Sequence, residues 1–211
     1  MNGKRVFTGF FGTIIAIVEI GLLSGCAIDK NSLALTQIAM SDKQKGWALT
    51  AENELLHTTS GIENFTCVKT FDKTLPVSEG EISLCAVDEN TAYTAYFSMD
   101  GENILVEYTT DAGENWEHTA VSYASYGGAY KAYLSFTDRE HGYLLYCSDP
   151  GAGMMTKILF STEDGGGTWT PQQELECDGA LSYDFFSEND GYLIDETGCL
   201  LPLKASAGTA R

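Results

Sequence analysis

An eight-residue pattern that returns about every fifty residues narrows the fold of this chain more than anything else in it. Its fullest copy is Thr162-Glu163-Asp164-Gly165-Gly166-Gly167-Thr168-Trp169. Thr109-Thr110-Asp111-Ala112-Gly113-Glu114-Asn115-Trp116 repeats it with Asn115 in place of the threonine. Thr58-Thr59-Ser60-Gly61-Ile62-Glu63-Asn64-Phe65 is an eroded copy, with serine for the aspartate and isoleucine for the glycine. Each copy reads as a tight polar turn between two strands. The short carboxylate of Asp111 or Asp164 accepts backbone N–H groups, and Gly113 or Gly166 permits φ > 0. The aromatic that closes the pattern, Trp116 or Trp169, opens the next strand and packs the hairpin. The eroded copy lacks both the carboxylate and the second glycine, so a looser turn is expected there.

A second signature lies upstream of each turn and fixes the register. It reads Met40-Ser41-Asp42-Lys43-Gln44-Lys45-Gly46-Trp47, then Val87-Asp88-Glu89-Asn90-Thr91-Ala92-Tyr93, then Phe136-Thr137-Asp138-Arg139-Glu140-His141-Gly142-Tyr143. Phe186-Ser187-Glu188-Asn189-Asp190-Gly191-Tyr192 is the fourth copy. An apolar strand end, a polar turn and a strand opening on an aromatic make a hairpin. The second repeat then parses into strands at 82–87, 91–98, 104–110 and 116–122. Within the third of these, Ile104, Val106 and Tyr108 alternate with Leu105, Glu107 and Thr109, the strand period of two. Four-stranded units of this length, stacked radially, are propeller blades. The expected fold is therefore all-β: a partial β-propeller of four-stranded antiparallel blades, about three and a half of them, following an amino-terminal signal segment. Its blades fall at about 35–71, 82–122 and 132–175, with an incomplete one at 180–211.

At the two fuller turns the chain resembles the Asp-box, or BNR, repeat family, whose pattern is Ser/Thr-x-Asp-x-Gly-x-Thr-Trp. Residues 162–169 match throughout, and 109–116 depart only at Asn115. The resemblance implies that Thr109, Asp111, Gly113, Trp116, Thr162, Asp164, Gly166, Thr168 and Trp169 have a mainly structural role, joining the third and fourth strands of blades. It also implies that ligand sites lie on the opposite face, where loops between second and third strands meet the links between blades. Here that face draws on 98–103 with Asp100, on 148–154 with Asp149, and on the links 71–81 and 123–131. The second link carries Tyr123, Tyr126 and Tyr130, and tyrosine offers contact area with a hydrogen-bonding tip. The alternative reading of the same residues is packing between blades.

The first 26 residues differ in kind from the rest. Lys4 and Arg5 precede an apolar run over 6–23, broken by Glu19, which ends in Leu23-Ser24-Gly25-Cys26. This is a signal-peptide layout, and its end resembles the bacterial lipobox. The resemblance implies lipidation of Cys26, export, and anchoring on the outer side of the bacterial membrane through acyl chains. On that reading 1–25 is the lipoprotein signal peptide, 26–34 a tether and 35–211 the partial propeller. An uncleaved membrane helix is the competing reading; Glu19 within the span and a run at the short end of the required length weigh against it.

Composition excludes several classes of function. A formal net charge of −18 and few arginines argue against nucleic acid as a partner. Beyond Cys26, the cysteines Cys67, Cys85, Cys147, Cys177 and Cys199 show no C-x-x-C spacing and no adjacent histidine, so zinc and thioredoxin-like readings lack support. Export permits disulfides, with Cys177 and Cys199 the first pair to consider. His57, His118 and His141 fall in different blades and suggest no metal site and no triad. Gly165-Gly166-Gly167 lies in a hairpin and opens no helix, so it makes no phosphate loop. No cofactor is called for.

Sialidases and some other glycosidases carry Asp boxes, and sialidases of that kind bind the substrate carboxylate with an arginine cluster. Arg5, Arg139 and Arg211 are the only arginines here, and no such clamp assembles from them. The expected function is a lipid-anchored, non-enzymatic binding or scaffold module for protein or glycan at the cell envelope. The alternative is a carbohydrate-active enzyme using paired carboxylates, of which this chain is one part. The resemblance also admits assembly factors of the photosystem II stability type. An open stack of blades exposes apolar faces and an unpaired edge, so either self-association or a chain continuing past Arg211 is expected.

Overall fold

The computed structural model describes residues 34–61, 63–72, 82–148, 155–177, 180–185, 187, 190–195 and 197–204, with backbone alone at 176, 177 and 180–182. The signal and anchor reading with Cys26, the loop residue Asp149 and most of the 71–81 link lie outside the described residues. Among the described residues fifteen strands form four antiparallel sheets, each made of strands consecutive in sequence. The first is β1 (Leu35–Met40), β2 (Gly46–Thr50), β3 (Glu54–Thr58) and β4 (Thr66–Thr70). The second is β5 (Ser83–Ala86), β6 (Ala92–Phe97), β7 (Asn103–Thr109) and β8 (Glu117–Ser122). The third is β9 (Ala129–Phe136), β10 (Gly142–Ser148), β11 (Met155–Thr162) and β12 (Thr170–Cys177). The fourth has three described strands, β13 (Ala180–Phe185), β14 (Asp190–Asp195) and β15 (Leu200–Lys204). The molecule is an all-β partial propeller of about three and a half blades.

Each junction between blades carries its own core. Trp47, Leu49 and Leu55 of the first blade meet Ile82, Ala92 and Tyr96 of the second. Tyr93, Phe97 and Val106 of the second meet Leu134, Tyr146 and Phe160 of the third. Tyr143, Leu145 and Leu159 of the third meet Phe185, Leu193 and Leu203 of the fourth. The second strands of the two middle blades therefore send alternate side chains into two cores, which is why β6 and β10 are buried at every residue. In β14 burial alternates instead, because only one of its faces is covered.

One contact recurs across these junctions. Tyr93, near the start of β6, stacks on Phe136 at the end of β9, with centroids 3.6 Å apart and planes 13° apart. Tyr143 stacks on Phe185 in the same way, at 3.6 Å and 9°. Each phenylalanine folds over the glycine paired with it across the hairpin, Gly142 for Phe136 and Gly191 for Phe185. A methyl group at Gly142 would run into the Phe136 ring, and one at Gly191 would lie 2.9 Å from the Phe185 ring. The glycine that precedes the aromatic in the second signature thus makes room for the neighbouring blade's stack.

Cys85 and Cys147 behave as small apolar side chains. Cys147 is buried in the third junction's core, and burial pushes the half-buried Cys85 thiol up to about 11. Cys199 is a free, exposed thiol at the turn before β15, and the side chain of Cys177, the partner considered for it, lies outside the described residues.

Candidate functional site

The two ends of the blades differ in chemistry. At one end lie the turns between first and second strands and between third and fourth strands. Thr162 Oγ1 donates to Asp164 Oδ1 at 2.8 Å and accepts the Gly166 N–H at 2.9 Å. Asp164 also accepts the Thr168 N–H and the Thr168 hydroxyl, both at 2.8 Å, and Trp169 Nε1 donates to Gly166 O at 3.1 Å. The 109–116 turn reproduces this bond for bond, with the Asn115 side-chain amide donating to Asp111 Oδ2 at 2.7 Å where the other turn has a threonine hydroxyl. Gly113 and Gly166 have φ of 90° and 93°, the left-handed region that a Cβ disfavours. In the eroded turn Thr58 Oγ1 still accepts the Ser60 N–H at 3.1 Å, but there it donates to a backbone oxygen, Gly61 O, at 2.7 Å.

The first–second strand turns are built as regularly, and sequence reasoning missed their key residues. Asp42, Asp88 and Asp138 each accept the N–H groups two and three residues on, at 2.7–2.9 Å. The signal was present, because the aspartate holds the same place in all three signatures. The two turns of a blade are also joined: Gly61, Ala112 and Gly165 donate their N–H to Gln44 O, Asn90 O and Glu140 O at 2.6, 2.9 and 2.9 Å. Neighbouring blades are tied at this end too. Trp47 Nε1 donates to Asp88 O at 3.1 Å, and Arg139 forms an ion pair with Asp88 at 2.6 Å. Polar groups at this end are engaged in holding turns and blades together.

Stability should report that role. The Thr168 N–H holds the Asp164 carboxyl below its ordinary 3.8, and the Asn115 amide does the same for Asp111. The Gln44 N–H does so for Asp42, also from 3.8. Since these folded-state values are depressed, their contribution is full above pH 3.8 and is lost as pH falls through the lowered values. Asp164→Ala is expected to cost about 1–2 kcal/mol, the low side for a charged acceptor because the carboxylate touches water. Its melting temperature should also fall less steeply than wild type between pH 5 and 2. Equal acid slopes in the two proteins would contradict the assignment.

At the opposite end lie the residues of the expected binding face. Tyr123 is 2% exposed and stacks on Tyr146 at 5.0 Å, so its ring is interior. Tyr126 is half-buried against Tyr146 and Phe160. Tyr130 belongs to strand β9 and not to a link, and it packs against the third junction's core. Asp100 is exposed, but its carboxylate caps the β6–β7 turn, accepting from Ser98 Oγ, from the Glu102 N–H at 2.8 Å and from Asn103 Nδ2 at 3.2 Å. These four residues hold loops and junctions in shape.

The concave feature lies along the inner strands. A cleft of about 510 Å³ opens between β1, β5 and β9, lined by Thr36, Gln37, Asn53, Ile82, Ser83 and Tyr133 among others. Gln37, Ser83 and Tyr133 occupy equivalent places, three residues before Met40, Ala86 and Phe136, each of which pairs with the residue before the second strand's aromatic. Gln37 bridges the first two blades, accepting the Leu84 N–H at 2.9 Å and donating to Ile82 O. Ser83 repeats the bridge to the third blade, accepting the Leu134 N–H at 2.9 Å. Asn53, at φ 61°, forms the turn between β2 and β3 at the rim. Among the described residues lining this cleft there is no carboxylate, histidine, lysine or arginine.

Four-stranded antiparallel blades fanned around an inner cleft, joined junction by junction, define a β-propeller architecture. Comparison with solved structures agrees. YCF48 from Cyanidioschyzon merolae superimposes with a TM-score of 0.54 at 16% identity, covering 83% of this chain and 54% of that one. YCF48 bound to D1 peptide gives 0.44 at 11%, covering 81% and 63%, and the GH74 xyloglucanase from Xanthomonas campestris gives 0.40 at 10%, covering 86% and 38%. At 16% identity the likeness to the first of these is one of fold, and the chain spans only part of each protein's length. No protein-family model matches the chain, and no curated protein does.

Proposed function

We propose that this chain is an Asp-box propeller that acts as a non-enzymatic binding module at the bacterial cell envelope, exported and held to the outer side of the membrane by lipid on Cys26. Its ligand is an extended peptide or a glycan, taken up in the cleft along β1, β5 and β9. The observation that carries this reading is the cleft's lining among the described residues, a polar and apolar mixture of Thr36, Asn53, Ile82 and Tyr133. The charge of the whole chain, −18, selects for neutral or basic ligands.

The test is a screen of the membrane-extracted protein on envelope-glycan arrays and on displayed peptides, repeated with Tyr133→Ala. Tyr133 is half-buried, and its backbone carbonyl, which accepts the Tyr183 hydroxyl at 2.8 Å, survives the change. Ligand affinity should fall about tenfold, a loss of about 1.4 kcal/mol; the melting temperature falls as well, because the ring packs against Tyr183 and the third junction's core, so affinity is measured well below it. Turnover of a glycan, or a ligand indifferent to Tyr133→Ala, overturns the reading. Mass spectrometry of the same preparation should show a chain beginning at Cys26 with added acyl mass, and an intact Met1 terminus would contradict the anchor.

A further inference from the structure

An extended peptide and a glycan make different demands on the cleft along β1, β5 and β9. A peptide laid along a strand edge gains its affinity from unpaired backbone N–H and C=O groups. At the level of this cleft, side chains of the preceding blade already take such groups. The side-chain amide of Gln37 stands where a backbone peptide group would, accepting the Leu84 N–H at 2.9 Å and donating to Ile82 O on the inner edge of β5. Ser83 Oγ takes the Leu134 N–H of β9 in the same way, at 2.9 Å. What the cleft offers a ligand is side-chain chemistry. Among the described residues the Asn53 amide makes no hydrogen bond, and the Ser83 hydroxyl accepts one but donates none. Thr36 Oγ1 donates to Leu49 O at 3.2 Å, which leaves its lone pairs to accept.

We infer that the ligand of the cleft is a neutral glycan, held by the Asn53 amide and the Ser83 and Thr36 hydroxyls, with its C–H faces against Leu49, Ile82 and Tyr133. The inference rests on the cleft being the ligand site proposed above. A sugar ring carries hydroxyls that both donate and accept, separated by faces of C–H groups. It is therefore matched by short uncharged polar side chains of both kinds set between apolar walls, which is the composition found here. The chain's net charge of −18 repels uronates and sulfated sugars, so the glycan is a neutral one. A space of about 510 Å³ falls within the roughly 300–1,000 Å³ of small-ligand sites, enough for a short stretch of a glycan chain. Asn53 also sits at φ 61°, a conformation that asparagine tolerates and glycine holds without strain. What asparagine adds to that turn is its amide, placed at the rim of the cleft.

The experiment titrates the full chain in mild detergent with neutral trisaccharides (triacetylchitotriose, cellotriose and maltotriose), with trigalacturonate, and with an uncharged alanine–serine peptide. A neutral trisaccharide should bind, with an affinity that stays level as salt is raised, because no ion pair forms. Trigalacturonate and the peptide should not bind. Asn53→Gly relieves the positive φ and removes the amide, so the melting temperature should not fall while trisaccharide affinity drops about tenfold, the loss of one or two neutral hydrogen bonds. Peptide binding that is lost in Tyr133→Ala would overturn the glycan and leave the cleft as the site. Trisaccharide affinity unchanged in both Asn53→Gly and Tyr133→Ala would overturn the cleft itself, and with it the reading on which the inference rests. Affinity lost in Tyr133→Ala but kept in Asn53→Gly removes the amide from the site. Binding of trigalacturonate, or of no neutral trisaccharide, refutes the inference.

Discussion

Trp47→Ala is expected to lower the unfolding free energy by about 3–5 kcal/mol, the range for emptying a fully buried indole site. Trp47 has no exposed surface and stands at the centre of the junction between the first two blades, with its ring 4.6 Å from that of His57. Its N–H is the partner of Asp88 O across that junction, so the substitution removes packing and leaves a carbonyl short of a donor. Stabilities of 5–15 kcal/mol are usual for a folded domain, so the loss is a large fraction of the total. It should also be local, because stacked repeats contact only their neighbours. Hydrogen exchange should accelerate in β1–β4 well before β9–β12, and denaturant melts should become broader. Trp47→Phe, which keeps most of the apolar surface and loses the N–H, should cost about 1 kcal/mol for the hydrogen bond plus a smaller packing loss. Uniform acceleration of exchange through all four blades would show that the junctions are not independent.

What the sequence made legible follows from the range of the bonds involved. The Thr162–Trp169 turn is held by contacts between residues two to four apart, such as Thr162 with Asp164 and Asp164 with Thr168. Such contacts leave a fixed motif in a short window, so the turns, the hairpins and the strand order could all be read. Gln37 is different: the groups it bridges to lie 45 and 47 residues away, and the next bridge, Ser83 to Leu134, spans 51. No local pattern marks a glutamine or serine that replaces a rung between blades. Only aligning the repeats on the aromatic-preceding glycine places Gln37, Ser83 and Tyr133 on one level, and that level lines the cleft. The inward packing of Tyr123 and Tyr126 was hidden for the same reason. Their polar, glycine-containing setting resembles a surface loop, while the side chain that draws them inward lies in the following hairpin.

That side chain is Tyr146, and replacing it gives the second large expected effect. Tyr146 has no exposed surface; Tyr123 stacks on it, Phe97 meets it edge-on at 6.3 Å, and its hydroxyl donates to Gly127 O at 3.0 Å and Gly128 O at 2.7 Å. It is thus the post around which the link between the second and third blades is wound. Tyr146→Ala should cost about 3–5 kcal/mol, since the cavity left among Phe97, Tyr123 and Phe160 is large and walled by strands that cannot collapse. Tyr146→Phe keeps the ring and removes only the hydroxyl, leaving the Gly127 and Gly128 carbonyls without its donor, at about 1 kcal/mol. The two variants separate packing from recognition. If Tyr123 and Tyr126 serve the junction, Tyr146→Phe loosens the Gly127–Gly128 turn, raises amide exchange there, and leaves ligand affinity at the β1–β5–β9 cleft as in wild type. A ligand lost from Tyr146→Phe at full thermal stability would instead return the 123–131 link to the binding surface, and the cleft would cease to be the site.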